Sequence, residues 1–383
     1  MEQISVESLT ELHHRKSAKW RMLEPDILPM GLAEMDFSVA EPIRTRLINM
    51  INGSDLGYGG FAPELGEAFS GFAKRRWGWE PDPAQCWPVT DVAVAGMETL
   101  RRLCAAGSKV GISTPVYYNF KDWIAEIGFE VTDIPLMRND DFTWCLDLAA
   151  LEIAFSEGLP AYILCNPHNP VGYLPSRTEL EQLADLADEY NVLIISDEIH
   201  APLTYPGNTF TPYLSINAQA KRTGVMITSA SKAWNTAGLK CAQIITQDEQ
   251  RSESLKFVAE HTIWRSSLLG AWANITAYNE GEPWLDQALE LLDVNRRLLA
   301  SLLSDLLPEA NYRIPNSTYL GWVDLSAYHE KRPAQYLREQ ARVAFSEGED
   351  FGPSGAGFVR IDFATSSEIL TQAIQSIAKV LVK

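Results

Sequence analysis

Cysteine is scarce in this sequence and never paired by spacing: there are five (Cys86, Cys104, Cys145, Cys165 and Cys241) in 383 residues, and no CxxC. An odd, dispersed set argues against a disulfide framework or a structural zinc site. Long apolar runs are missing too. The opening MEQISVESLTELHHRKSAKW has no leader-like apolar stretch, and no run reaches the roughly 18 apolar residues that span a bilayer. Positive charge is outnumbered, with 32 Lys and Arg against 50 Asp and Glu and a formal net charge of −18. Such a surface repels phosphate backbones, so nucleic acid is not an expected partner. A small anionic ligand in a locally basic pocket stays compatible with it. Repeats, low-complexity tracts and long Gly/Ser linkers are absent. The expectation is a cytoplasmic protein that uses neither membrane nor metal.

What is present is enough apolar material for a large core, 46% of the chain. KVGIST (109–114), AYILC (161–165), NVLIIS (191–196), VMITS (225–229) and CAQIIT (241–246) are short apolar runs bounded by turn residues and read as buried strands. Between two of them, RTELEQLADLADEY (177–190) sets Leu180, Leu183, Leu186 and Ala187 along one helical face. Strand–helix–strand alternation indicates an α/β fold, a mostly parallel sheet sandwiched by helices. Beyond about residue 275 the texture changes to a helical stretch (286–306) and two alternating runs, STYLGWVDL (317–325) and GFVRIDFA (357–364). The reading is a large α/β domain over 46–275 and a smaller α+β domain over 276–383, joined by the N-terminal segment 1–45.

In open α/β sheets, ligands bind beyond the carboxyl ends of the strands, and the chemically notable residues of this chain follow the strand runs directly. Asn166-Pro167-His168-Asn169-Pro170-Val171-Gly172 comes after AYILC, Asp197-Glu198-Ile199-His200 after NVLIIS, and Ser229-Ala230-Ser231-Lys232 after VMITS, with Lys240 just before the next strand. Each has an ordinary reading: a rigid turn, a helix cap, a satisfied polar histidine, a solvated lysine. Their recurrence at successive strand ends is what suits one aromatic, phosphorylated cofactor.

These segments, CNPHNPVG, SDEIHAPL, SKAWNTAGLK and STYLGWVD, resemble the motifs of fold-type I pyridoxal 5′-phosphate (PLP) enzymes, the class I/II aminotransferase superfamily, and within it the cystathionine β-lyase (C–S lyase) subgroup. The resemblance runs nearly the whole length and implies a seven-stranded-type sheet. It also implies roles. Lys232 carries the cofactor and moves the substrate Cα proton, while Asp197 pairs with the ring nitrogen. Asn169 and His200 lie near the phenolic oxygen, and Tyr117 stacks on the ring. Ser229, Ser231, Lys240 and the N–H groups of Val92 and Ala93 hold the phosphate. Asp91 stands where many relatives have Gly, and must point away from that phosphate, capping a helix. Tyr58, in LGYGGF, resembles a tyrosine that reaches the neighbouring subunit's phosphate, which implies a homodimer with shared sites. Arg360, with Asn169, binds the substrate α-carboxylate. Glu34 replaces a usual Asp, and Val171 a common Thr.

The implied reaction is β-elimination at the C–S bond of cystathionine or a related cysteine S-conjugate, giving a thiol, pyruvate and ammonia, with Tyr117 or Tyr58 available to donate a proton. An aminotransferase is the alternative, and a PLP-fold protein with mainly regulatory binding a further one. Trp264, Arg265, Tyr319 and Trp322 either line the distal pocket or are core and rim residues.

Overall fold

The structure is a computed structural model that describes residues 4–60, 62–329 and 331–382; the outermost residues of the 1–45 and 276–383 segments, with Phe61 and Glu330, lie outside the described residues. Its largest sheet contains β1 (Cys86–Val89), β2 (Lys109–Ile112), β3 (Glu130–Asp133), β4 (Ala161–Cys165), β5 (Leu193–Asp197), β6 (Gly224–Thr228) and β7 (Ala242–Ile245). The order is β1-β7-β6-β5-β4-β2-β3, and β7 runs antiparallel to both its neighbours while the other pairs are parallel.

The unbroken apolar runs have a simple cause: β4, β5 and β6 are buried along their whole length. Alternate residues feed two different cores. Ile163, Ile195 and Ile227 pack with Ala95 and Leu100 of helix α1 (Val92–Leu103). Leu164, Ile194 and Met226 join Leu180, Leu183 and Ala187 of helix α2 (Arg177–Glu189) on the opposite face. Each leucine withdrawn from water there contributes about 1.5–3 kcal/mol. Strands β1 and β3 escaped the sequence reading. CWPV is buried but carries a proline, which argues against a strand, and EVTD is mostly exposed at the sheet's edge and shows no apolar run.

A second, antiparallel sheet orders β8 (Asn311–Tyr312), β9 (Leu320–Asp324), β10 (Ser346–Glu347) and β11 (Phe358–Asp362) as β8-β9-β11-β10. Helices α3 (Glu282–Leu306) and α4 (Ser367–Leu381) pack on each other and bury their apolar faces with it. The N-terminal segment joins this side of the molecule, since Leu28–Pro29 pairs in parallel with Val343–Ala344. It then continues as a bent strap, 30–37, which bonds the end of β11 through its backbone and meets Lys232 at Ala33 O.

Candidate active site

Strand β5 ends on Asp197, which is buried and accepts one backbone hydrogen bond, from Ile199 N–H at 3.1 Å. Loss of water raises its pKa to about 7, the effect of the Ile199 bond and of the nearby Lys232 charge opposing that rise only in part. Lys232 follows β6 in a turn closed by Ser229. The Ser229 hydroxyl donates to Cys241 O at 2.6 Å and accepts from Ser231 N–H at 3.0 Å. Although the Lys232 side chain keeps some exposure, desolvation of its amine, aided by the Arg360 charge, lowers its pKa to about 8. Its Nζ donates to Ala33 O in the strap at 2.8 Å.

Arg360 points inward from β11 and is almost fully buried. It donates to Asn169 Oδ1 (3.1 Å), Gly31 O (2.8 Å) and Ser346 Oγ (3.2 Å), and its guanidinium lies 4.9 Å from the centre of the Phe351 ring. Its Nε has no partner, and among the described residues no carboxylate forms an ion pair with it. A buried cation held only by neutral acceptors is prepared for an anion from outside.

His200 is buried next to these groups. Burial, then the Lys232 and Arg360 charges, hold its pKa down at about 3, so it is neutral, and its Nδ1 has no hydrogen-bond partner. Tyr117 is half-buried and accepts from Asn119 Nδ2 at 2.8 Å, its pKa pushed up to about 12 mainly by burial. His168, by contrast, is part of its turn: Nε2 lies 2.9 Å from Pro115 O.

At the other end of the site, Asp91 caps α1, its Oδ1 accepting from Val94 N–H at 3.0 Å, as the sequence reading required of it. Its second oxygen does something the sequence did not suggest and holds Lys240 Nζ at 3.1 Å. The N–H groups of Val92 and Ala93 at the start of α1 meet no acceptor among the described residues. Lys240 itself sits at φ 54°, a left-handed conformation. Ser229, whose only proton goes to Cys241 O, has no side-chain donor to spare, so the hydroxyl of Ser231 is the freer of the two.

Tyr58 stands apart. It is 84% exposed and touches Trp264 edge-on at 6.4 Å between ring centres. Of the four residues left open for the distal pocket, Trp264 and Arg265 are on the surface beside it. Tyr319 and Trp322 are buried: Tyr319 OH donates to Ala33 O at 3.1 Å, and Trp322 stacks on Phe358 at 4.9 Å. Val171 packs at the edge of that aromatic group, with Phe351 and Tyr118.

Several residues escaped the sequence reading. Asn235, at φ 56°, makes a two-way clasp on the strap, accepting from Met35 N–H at 2.9 Å and donating to Met35 O at 2.8 Å. Lys19 lies between Asp36 and Asp362. The signal available was the polar Asn inside SKAWNTAGLK and a lysine beside a tryptophan in SAKW, neither of which names a partner.

Residues 26–377 match the family described as "Aminotransferase class I and II". A cystathionine beta-lyase of Corynebacterium glutamicum is 35% identical over 97% of this chain and 99% of its own. A solved structure from Corynebacterium diphtheriae is 31% identical, covers 99% of each chain and superposes with a TM-score of 0.94. The PLP-bound C–S lyase of Staphylococcus hominis is 29% identical over 94% of this chain and 92% of its own, with a TM-score of 0.87. With a profile match over nearly the full length, and relatives above 30% identity covering both chains end to end, the protein belongs to the class I and II aminotransferase family.

Proposed function

We propose that the protein is a PLP-dependent β-lyase that cleaves the C–S bond of cystathionine or a related L-cysteine S-conjugate. The observation that carries this reading is the meeting of a buried aspartate, a lysine of lowered pKa and an unpaired buried arginine, Asp197, Lys232 and Arg360, at one place. The kinship with C–S lyases supplies the choice of reaction.

The residues suit the cofactor. Asp197 has one hydrogen-bond partner and needs a cationic N–H; the pyridine nitrogen provides it. His200 Nδ1 is an orphaned polar atom near Lys232, and with Asn169 it would hold the cofactor's phenolic oxygen. The vacant N–H groups of Val92 and Ala93, with Ser231 and Lys240, suit a phosphate at a helix N-terminus. When bound, PLP supplies a ring that draws off the electrons left at Cα when a bond there is broken.

The chain's own groups do the rest. Arg360 takes the α-carboxylate and fixes the substrate's orientation, with Asn169 as second ligand. Lys232 Nζ takes the Cα proton, for which an amine with a pKa near 8 is matched to neutral pH. The Cβ–S bond then breaks with its electron pair going to sulfur, and the thiolate takes up a proton, with Tyr117 or a partner subunit's tyrosine at position 58 as donor. The three-carbon enamine left behind hydrolyses to pyruvate and ammonia. Asp197 would pair with the ring nitrogen and hold its proton.

Residues 46–275 serve as the large domain in this reading, with 1–45 and 276–383 as the small one. The exposure of Tyr58, Trp264 and Leu56 supports a homodimer in which each subunit lends Tyr58 to the other. The test is direct. Purified protein with PLP and L-cystathionine, without any keto acid, should release pyruvate, ammonia and free thiol catalytically. Turnover that needs an added keto acid would make it an aminotransferase, and a yellow protein with neither activity would point to a binding role.

A further inference from the structure

Among the described residues, Lys19 is the only buried lysine. It is 2% exposed, and all its donors are engaged: Asp36 Oδ2 at 3.0 Å, Asp362 Oδ2 at 3.1 Å and Glu34 O at 2.8 Å. The other Asp36 oxygen accepts from Trp20 Nε1 at 2.8 Å, and the other Asp362 oxygen from Ala364 N–H at 2.9 Å. One ammonium therefore ties three segments together: the short helix Ala18–Arg21, the strap and the end of β11. Backbone bonds run beside it, Asp36 N–H to Ala364 O at 2.8 Å and Asp362 N–H to Met30 O at 2.7 Å.

What the clamp holds is the site. Arg360 is two residues before Asp362 on the same strand, so the two side chains share a face of the sheet. Between Met30 and Asp36 the strap presents Gly31 O to Arg360 and Ala33 O to both Lys232 and Tyr319. We infer that Lys19 is a positioning residue for substrate binding: it sets the strap against β11 so that the Arg360 guanidinium is aimed for a carboxylate, and it neutralises charge that would otherwise compete for that guanidinium. Without the ammonium, two buried carboxylates face each other beside the arginine, and the strap loses its side-chain tie to β11 at Glu34 and Asp36. A lysine does this where an arginine or a water does not, because three acceptors converge on a point rather than a plane.

This rests on the assignment of Arg360 to the α-carboxylate, and the test separates it from the choice of reaction. Full-length holoenzyme is titrated with L-alanine, which has the amino and carboxylate groups but no thiolate to lose, and binding is read from the visible band of the bound cofactor. Lys19→Met is expected to retain that band and to raise the half-saturating L-alanine concentration by about tenfold or more. Lys19→Arg, still cationic, recovers part of the loss. Asp36→Asn, which weakens the ammonium's hold on the strap and leaves the Asp362 contact, raises half-saturation less than Lys19→Met. If Lys19→Met does not fold, Asp36→Asn and Lys19→Arg decide, and both should exceed wild type. A lowered melting temperature with half-saturation within about twofold of wild type in the folded variants overturns the inference and leaves Lys19 a purely structural residue. Pyruvate release from cystathionine by the wild type is read separately, so a failed lyase reading and a failed Lys19 reading give different results.

Discussion

The two ends of the site are built differently. Around Arg360 everything is enclosed: the guanidinium, Asn169, Lys19, Asp36 and Asp362 are all buried, and the strap supplies fixed carbonyls. Around Asp91, Lys240 and Tyr58 the groups are half-buried or exposed, and the helix N–H groups of Val92 and Ala93 wait for an acceptor. A buried network has little freedom to rearrange, so the Arg360 end is oriented before any ligand arrives. In our reading the open end gains its order from what binds there, a phosphate and a neighbouring subunit. Mutations at the first end should therefore be costly and specific, while those at the second should be mild and dependent on cofactor or protein concentration.

The comparison can be broken at its centre first. Lys232→Ala should lower turnover on the order of 10³-fold or more and abolish borohydride-reducible cofactor, as read by mass spectrometry of the reduced protein. Covalent cofactor elsewhere on the chain would refute its role. At the enclosed end, Arg360→Ala removes charge-assisted hydrogen bonds worth about 1.5–3 kcal/mol, so KM should rise roughly 10- to 100-fold with kcat much less affected. An unchanged KM would detach Arg360 from the substrate.

Between the two ends lies a pH effect. The depressed Lys232 pKa means its amine is protonated in the cofactor-free protein below about pH 8 and neutral above. Capture of added PLP, followed by absorbance, should therefore quicken as pH rises through about 8. A midpoint near that of an ordinary lysine would show that desolvation does not tune it. At the open end, Tyr58→Phe should weaken cofactor retention by only about 3- to 10-fold, the worth of one hydrogen bond. At limiting PLP, mixing subunits carrying Tyr58→Ala with inactive subunits carrying Lys232→Ala should raise activity above that of Tyr58→Ala alone if sites are shared. Smallest of all, Asp91→Asn keeps a capping residue and removes an exposed ion pair, so the melting temperature should move by no more than about 1 kcal/mol of stability implies.

Much of this was legible from the chain. The strand ends carrying Asn169, Asp197 and Lys232 could be read because buried strands are unbroken apolar runs and the polar residue that follows each is conspicuous. Asp91 could be assigned to a cap because its alternative was repulsion. Lys19 could not be assigned. Its partner Asp362 is 343 positions away, and a lysine in a polar N-terminal stretch looks like any solvated one. Nor did the sequence show that Ser229 spends its proton on Cys241 O or that Lys240 meets Asp91, since both contacts depend on the antiparallel return of β7 beside β6 and β1.

Residue order alone determined the alternation of strand and helix, the core of the large sheet and the kinds of group at its rim. Apolar periodicity and turn chemistry are local properties, and each segment carries its own. Only the tertiary structure decided which of those groups are satisfied, which are left waiting, and which distant aspartates share one buried ammonium. Burial and long-range pairing depend on where the chain returns, and no segment contains that information by itself.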